Sequence, residues 1–101
     1  MMLKVVINKC YGGFSISLDC AKRMAELGNK EAKQMLKTYE IDNHWYGFLY
    51  KTARHDKSLV QAVEELGKKA SGPCAELVIE KVYVPDVPYT ITDYDGYEQV
   101  K

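Results

Sequence analysis

The stretch "LKVVINKCYGGFSISLD" (residues 3–19) decides the fold, because it passes from a strand pattern through a glycine turn into a helix start. Residues 5–7 are apolar and β-branched, which is typical of a strand that is covered on both faces. Gly12 and Gly13 then interrupt the strand. Ser17 is a suitable N-cap for a helix. The stretch therefore predicts a strand, a tight turn and a helix in succession.

Helices are predicted where apolar residues recur every three or four positions between capping residues. The first helix follows Ser17, and the second spans about residues 30–39. A third begins at an N-cap that is either Asp56 or Ser58, and the sequence leaves both alternatives open. Gly72 is expected to cap the end of this third helix.

Five segments are rich in β-branched and aromatic residues and predict strands. They are residues 3–9, 44–52, 75–84, 89–94 and 97–100. In "HWYGFLYKT" (residues 44–52), Trp45 and Leu49 fall on one face. The other aromatic side chains fall on the opposite face, and Gly47 indicates a bulge or a close approach of two backbones.

The order β-α-α-β-α-β-β predicts an α+β fold. We expect a single small domain over residues 1–101, in which a mixed β-sheet of about four to five strands is covered by two to three helices. Asp95-Gly96 lies where a two-residue hairpin turn would join the last two strands. A loop bracketed by Pro85 and Pro88 precedes that hairpin.

Lysine plus arginine and aspartate plus glutamate number 14 each, so the net charge is zero. This balance disfavours extended nucleic-acid binding, which depends on clustered positive charge. Cys10, Cys20 and Cys74 form no CxxC pair, which indicates reduced thiols and a cytoplasmic protein. No segment has the length of a membrane span, and no metal or cofactor motif is present, so we expect neither membrane, metal nor cofactor. The oligomeric state is left open.

The turn after the first strand is a candidate ligand site. A strand that ends in glycines before a helix aims free backbone N–H groups at an anion, and the helix dipole assists. The residues of this predicted phosphate or carboxylate cradle are Gly12, Gly13, Ser15 and Ser17, with Tyr11 beside them. The spacing of "YGGF" is not that of a nucleotide-binding motif. The alternative interpretation is a plain strand-to-helix turn.

A second candidate site is the tripeptide Arg54-His55-Asp56. Arg54 is suited to grip a phosphate or carboxylate, His55 titrates near neutral pH, and Asp56 is placed to orient the imidazole. If this loop lies beside the diglycine turn, Cys10 and His55 could form the nucleophile–base pair of a small enzyme. The alternative is a helix cap flanked by solvated charges.

Aromatic residues suggest two further surfaces. Tyr11, Trp45, Tyr46 and Tyr50 are candidates to line a pocket for a flat ring, although aromatic residues on strands more often pack in a core. Four residues near the end of the sequence form a candidate protein interface, because protein interfaces favour tyrosine. Those residues are Tyr94, Asp95, Tyr97 and Glu98. A charged edge that discourages strand addition explains the acidic members equally well.

Three segments together resemble a family of small uncharacterised bacteriophage and prophage proteins. They are "INKCYGGFSIS", "RHDKSLVQAVEELGKKASG" and "VPDVPYTITDYDGYEQV", which cover roughly half of the chain. The shared features are a KCYGGF-type start, an RHD–helix with V-x-E-L-G, and a closing DYDG segment. The resemblance implies a phage origin and a place in the infected bacterial cytoplasm, and it implies no activity, ligand or catalytic residue.

The sequence therefore leads to a non-enzymatic binding protein of phage origin. We expect a host-defence inhibitor that sequesters a host protein or a small anionic ligand. One alternative is a small nucleotide-handling enzyme that uses Cys10 and His55. Another is a virion or assembly component whose charged hairpin edge pairs with further copies.

Overall fold

A computed structural model describes residues 2–83 and 89–100 and confirms the α+β class. Its elements in chain order are β1 (Met2–Asn8), α1 (Leu18–Glu26), α2 (Lys30–Asp42), α3 (Lys57–Leu66), β2 (Leu77–Tyr83), β3 (Ile91–Tyr94) and β4 (Tyr97–Val100). A 3₁₀ turn, Gly67–Ala70, follows α3. The predicted loop between Pro85 and Pro88 lies outside the described residues. Within the described ranges, no helix has both the length and the apolar character needed to cross a bilayer.

The strands form two antiparallel pairs. β1 pairs with β2, from Met2 opposite Tyr83 to Asn8 opposite Leu77. β3 pairs with β4 in a hairpin whose two-residue turn is Asp95-Gly96, as predicted. A single mixed sheet of four to five strands is therefore not formed in the described part of the chain.

Residues 5–8 of β1 are buried on both faces, as the apolar run at residues 5–7 predicts. Val6 belongs to the larger core, which α1, α3 and Leu77 of β2 complete. Val5 and Ile7 belong to a second cluster, against which residues of the β3–β4 hairpin pack. The β1–β2 ribbon therefore lies between a helical layer and the hairpin, and this arrangement explains why all three side chains are fully buried.

Residues 44–52 do not form the predicted strand, because side chains and a distant backbone segment take their hydrogen bonds instead of a neighbouring strand. The predicted division into two faces is nevertheless present. Trp45 and Leu49 pack against the core, whereas Tyr46, Phe48 and Tyr50 are exposed. A close backbone approach also occurs at Gly47, whose carbonyl accepts the Ile16 N–H at 2.8 Å.

The helix ends follow capping chemistry with one correction. Ser17 and Asn29 cap α1 and α2 through their side chains. Of the two alternatives for α3, Asp56 is the N-cap. α3 ends earlier than predicted, at Gly67 with φ +58°, and not at Gly72. Gly72 serves a close contact instead, since a Cβ there would collide with the Ser15 side chain.

One largely buried ion pair joins the hairpin to the loop before α3. The Arg54 guanidinium donates two hydrogen bonds to the Glu98 carboxylate, at 2.6 and 2.9 Å. The Glu98 side chain is only 4% exposed and also accepts the backbone N–H of Asn8 at 2.8 Å. The backbone carbonyl of Arg54 accepts the Val6 N–H at 2.8 Å. On the edge of β1 away from β2, the N–H groups of Val6 and Asn8 are therefore occupied by a loop carbonyl and a carboxylate, and no strand of the described residues pairs along that edge.

Glu98→Ala is expected to lower the free energy of unfolding by about 3–5 kcal/mol, because it leaves the Arg54 guanidinium and the Asn8 N–H without their partner. Urea unfolding of the variant and the wild type measures this difference. Glu64→Ala is the matched control, since Glu64 pairs with Lys4 at the surface and should cost no more than about 1 kcal/mol. Equal losses in the two variants would contradict a structural role for the buried pair.

Candidate functional site

Arg54 is not available to an external ligand in the way the sequence suggested. Besides its pair with Glu98, its guanidinium stacks on the Phe14 ring at 3.6 Å from the centroid. Its side chain is 22% exposed. The anion that was predicted for Arg54 is therefore supplied by the chain itself.

The diglycine turn is likewise occupied by the protein. Gly96 of the hairpin turn packs so closely on Gly12 and Gly13 that a Cβ on Gly96 would collide with the Gly13 nitrogen. The Gly12 N–H is donated to the Cys10 carbonyl at 3.0 Å. The recess that remains beside the two glycines is also lined by Asp93 and Asp95, whose carboxylates disfavour an anion.

The two serines of the predicted cradle have internal partners. Ser15 is buried and its hydroxyl contacts the Pro73 carbonyl at 3.3 Å. The Ser17 hydroxyl donates to the Lys69 carbonyl and accepts the Cys20 N–H as the α1 cap. The plain strand-to-helix turn is thus the interpretation that the contacts favour.

The tripeptide 54–56 is not arranged as a catalytic group. His55 forms its side-chain hydrogen bond with the Tyr89 hydroxyl, at 2.7 Å. Asp56 accepts from the backbone of Ser58 and Leu59 as the α3 cap. Although burial by itself would raise the pKa of Asp56, these hydrogen bonds and the Ser58 hydroxyl lower it. Asp56 is therefore committed to the helix and does not orient His55.

The four residues of the predicted protein interface lie in two different environments. Tyr94 and Asp95 are exposed, and Tyr97 is half-buried against Tyr11, so these three residues lie at a surface. Glu98 is buried in the ion pair with Arg54 and is not part of that surface. The predicted ligand residues Tyr11 and Gly12 share a recess with the hairpin turn, and neither Arg54 nor His55 lines it.

A different concavity has the properties of a binding site: a groove of about 720 Å³ between α2 and residues 45–51, called here the aromatic groove. One wall comes from α2 and consists of Lys30, Glu31, Gln34, Met35 and Thr38. The other wall consists of Trp45, Tyr46, Gly47, Phe48, Tyr50 and Lys51. Three of the four aromatic residues predicted to line a pocket for a flat ring therefore lie together, and Tyr11 lies elsewhere.

In the wall formed by residues 45–51, Trp45 and Gly47 are held in place by the backbone of Ile16. The Trp45 indole donates to the Ile16 carbonyl at 3.0 Å, and its ring packs edge-on against Tyr39 at 5.9 Å. Gly47 has φ +76°, and a Cβ there would collide with the same Ile16 carbonyl. Glycine is thus required for the wall to approach the core this closely.

The end of the same wall, at Tyr50 and Lys51, is held in place by Glu31 of α2. Its carboxylate accepts the successive backbone N–H groups of Tyr50, Lys51 and Thr52, at 2.6 to 3.0 Å for the shortest contact of each. It also accepts the Thr52 hydroxyl at 2.8 Å. Burial by itself would raise the pKa of Glu31, but these four donors lower it. A run of N–H groups that could hold an external anion is therefore filled by a side chain of the groove's other wall.

The chemistry of the aromatic groove is that of a mostly apolar site with positive charge at its margin. Tyr46, Phe48 and Tyr50 are exposed, and Met35 supplies apolar surface from α2. Lys30 and Lys51 form no ion pair within the described residues. The sequence did not reveal Glu31, Met35 or Phe48 as groove residues, because nothing local indicates that α2 lies against residues 45–51.

Comparisons with known proteins give no family for this chain: no family model, no curated protein and no solved structure matches it. Across residues 2–83 and 89–100, no three metal-ligating side chains are grouped so that they could hold an ion.

Glu31→Gln is expected to release residues 50–52, because a neutral amide offers one acceptor oxygen where the carboxylate offers two. Amide hydrogen exchange of Tyr50, Lys51 and Thr52 should become about tenfold faster, while the amides of β1 keep their protection. Glu40→Gln, an exposed position on α2, is the control. Unchanged exchange at residues 50–52 would contradict the anchoring role.

The hydrogen bonds that residues 50–52 donate to Glu31 should weaken as the pH falls. Because the folded state lowers the pKa of Glu31, its stabilising contribution is present above the ordinary glutamate pKa and is lost as the pH falls through the lowered value. Exchange protection at residues 50–52 should therefore decline in acid in the wild type. It should remain nearly pH-independent, after correction for intrinsic exchange, in Glu31→Gln.

The three thiols should differ in reactivity. Burial raises the pKa of Cys20 to about 12, so its thiol is protonated at pH 8 and should react with a disulfide reagent only after unfolding. Cys74 is exposed and should react in the native protein. Peptide mapping after brief labelling measures both. A Cys10 that reacts faster than Cys74 would favour the enzyme alternative, and an equal or slower rate would count against it.

Proposed function

We infer that this protein is a non-enzymatic binding protein that holds a small anionic ligand with a flat apolar ring in the aromatic groove. The observation that carries this function is the combination, around one groove, of exposed aromatic rings and two lysines that form no ion pair with any residue of ranges 2–83 and 89–100. Small-molecule sites are typically concave and mostly apolar, with a few polar groups that orient the ligand.

The size of the groove supports a small ligand. Its volume of about 720 Å³ falls within the range of about 300–1,000 Å³ that is usual for ligand pockets. Trp45 is fixed by the Ile16 carbonyl and by Tyr39, so one ring is already held in place before a ligand binds. Preorganised aromatic surface favours binding because little side-chain freedom is lost.

The charges of the groove support an anion. Lys30 and Lys51 come from opposite walls, and each lines the groove. The acidic residue in the same lining, Glu31, has its carboxylate surrounded by four donors. Its acceptor oxygens are therefore engaged within the protein, and two lysines against one glutamate leave the groove lining with a net positive charge that favours a phosphate, sulfonate or carboxylate.

Sequestration is the role that fits such a site in the context that the resemblance implies. A phage protein in the cytoplasm of an infected bacterium could remove an anionic signal or cofactor on which host defence depends. The cap role of Asp56 and the His55–Tyr89 hydrogen bond support binding without catalysis. The function therefore proposed is a host-defence inhibitor that binds an aromatic anion.

A matched pair of fluorescent probes tests this function. The anionic probe is 8-anilinonaphthalene-1-sulfonate, and the neutral probe is N-phenyl-1-naphthylamine, which lacks the sulfonate. Trp45 is the only tryptophan of the chain and lines the groove, so its fluorescence responds to a bound probe, and the groove variants below assign the response to this site. We expect saturable quenching with one bound anionic probe per chain and weaker binding of the neutral probe.

Three variants separate the contribution of positive charge to binding from that of the aromatic rings. Lys51→Ala should lower the affinity for the anionic probe about two- to fivefold and leave the affinity for the neutral probe unchanged. Phe48→Ala should weaken both probes at least about fivefold. Lys33→Ala, an exposed lysine of α2 outside the groove, is the control and should change neither. Equal affinity for the two probes, or equal effects of Lys33→Ala and Lys51→Ala, would contradict an anion site.

A further inference from the structure

A second surface, on the β3–β4 hairpin, has the opposite charge. It consists of Tyr11, Tyr94 and Tyr97 with Asp93 and Asp95, and it is called here the aromatic corner. Tyr94 and Tyr97 are cross-strand partners on either side of the hairpin turn, and Tyr11 comes from the turn after β1. None of these five residues lines the aromatic groove.

The rings are arranged as a corner. The ring centroids of Tyr11 and Tyr94 are 6.5 Å apart, and the ring planes meet at 82°. The Tyr11 ring also lies 5.1 Å from the Tyr97 ring, tilted by 33°. Tyr11 is 66% and Tyr94 77% exposed, so two rings at nearly a right angle are open to solvent. Such rings, held by one another, can contact one charged group from two sides.

The carboxylates lie beside these rings. Tyr11 and Asp93 line both of the two recesses at this surface, which have volumes of about 420 and 470 Å³. Asp93 uses one oxygen to accept the Gly96 N–H at 2.8 Å, which fixes the side chain beside the turn. Asp95 lines the second recess and is exposed. Carboxylates and the negative faces of tyrosine rings therefore lie together at this surface.

The molecule already shows a cation at the margin of this surface. The Lys9 ammonium lies 5.2 Å from the centroid of the Tyr97 ring and 3.9 Å from the Glu80 carboxylate. An ammonium over a tyrosine face is attracted by the negative charge of the ring. Tyr97 is thus engaged by the chain's own lysine, whereas Tyr11 and Tyr94 are the more exposed rings.

We propose that the aromatic corner binds a cationic side chain, lysine or arginine, of a partner protein. Carboxylates attract the charge, and two perpendicular tyrosine rings contact the head group and its aliphatic stem. Tyrosine is also a residue that protein interfaces favour at their anchor points. This site does not depend on the aromatic groove, and it gives the protein a second partner of opposite charge.

Titration with capped tripeptides tests the proposal. The probes are acetyl-Gly-Arg-Gly-amide and acetyl-Gly-Lys-Gly-amide, and the neutral control is acetyl-Gly-norleucine-Gly-amide, which keeps the aliphatic stem. Proton NMR follows the ring signals of Tyr11 and Tyr94. We expect saturable shifts with both cationic peptides and at least about fivefold weaker binding of the norleucine peptide, with no shift at Trp45.

Two variants and a control locate the site. Asp95→Asn should weaken cationic binding about two- to fivefold, and it should fold normally because asparagine tolerates the φ of +54° found there. Tyr94→Ala should also weaken it about two- to fivefold. Tyr83→Ala removes an exposed tyrosine of β2 and should have no effect.

Three results would overturn the proposal. The first is equal binding of the norleucine and lysine peptides, which would mean that charge is not recognised. The second is an effect of Tyr83→Ala as large as that of Tyr94→Ala. The third is self-association of the free protein, seen by light scattering and abolished by Asp95→Asn, which would mean that a second copy occupies the corner. The aromatic groove is tested with an anionic probe and the aromatic corner with cationic peptides. A negative result at one site therefore does not count against the proposal for the other.

Discussion

The ion pair between Arg54 and Glu98 is the interaction on which the arrangement of the layers depends. It connects the loop before α3 to the last strand, and Glu98 reaches across to the backbone of Asn8 in β1. Asn8 extends the same network, since its side chain donates to the Cys10 and Gly96 carbonyls and accepts the Glu76 N–H. Two charges buried this way are costly unless every partner is present, so the network favours one position of the hairpin.

The chain supplies its own anions where the sequence suggested external ones. Arg54 has the charge and geometry of a phosphate-binding residue, and Glu98 satisfies it. The N–H groups of residues 50–52 form an anion-binding arrangement, and Glu31 fills it. Local sequence shows which groups can bind an anion. It does not show that a carboxylate 44 residues away, as for Glu98, or 19 to 21 residues away, as for Glu31, will be the one that binds.

The features that depend on local chemistry were predictable. The apolar run of β1, the Ser17 cap and the Asp95-Gly96 turn each act over a few residues, and each is present. The strand at residues 44–52 is predicted from its aromatic content and from the division of its side chains into two faces. That pattern shows which side chains are buried, but a strand also needs a neighbouring backbone. Three aromatic residues of the groove were predicted to line a pocket, but its α2 wall was not, because that wall requires α2 and residues 45–51 to meet through Glu31.

The occupied edge of β1 restricts how other molecules can be recognised. An unpaired strand edge offers a row of N–H and carbonyl groups to which an extended peptide can add itself as another strand. Here the N–H groups of Val6 and Asn8 already donate to Arg54 and Glu98. Addition of a peptide strand along residues 6–8 of β1 would have to displace these two hydrogen bonds, so recognition at that part of the ribbon favours side-chain contacts.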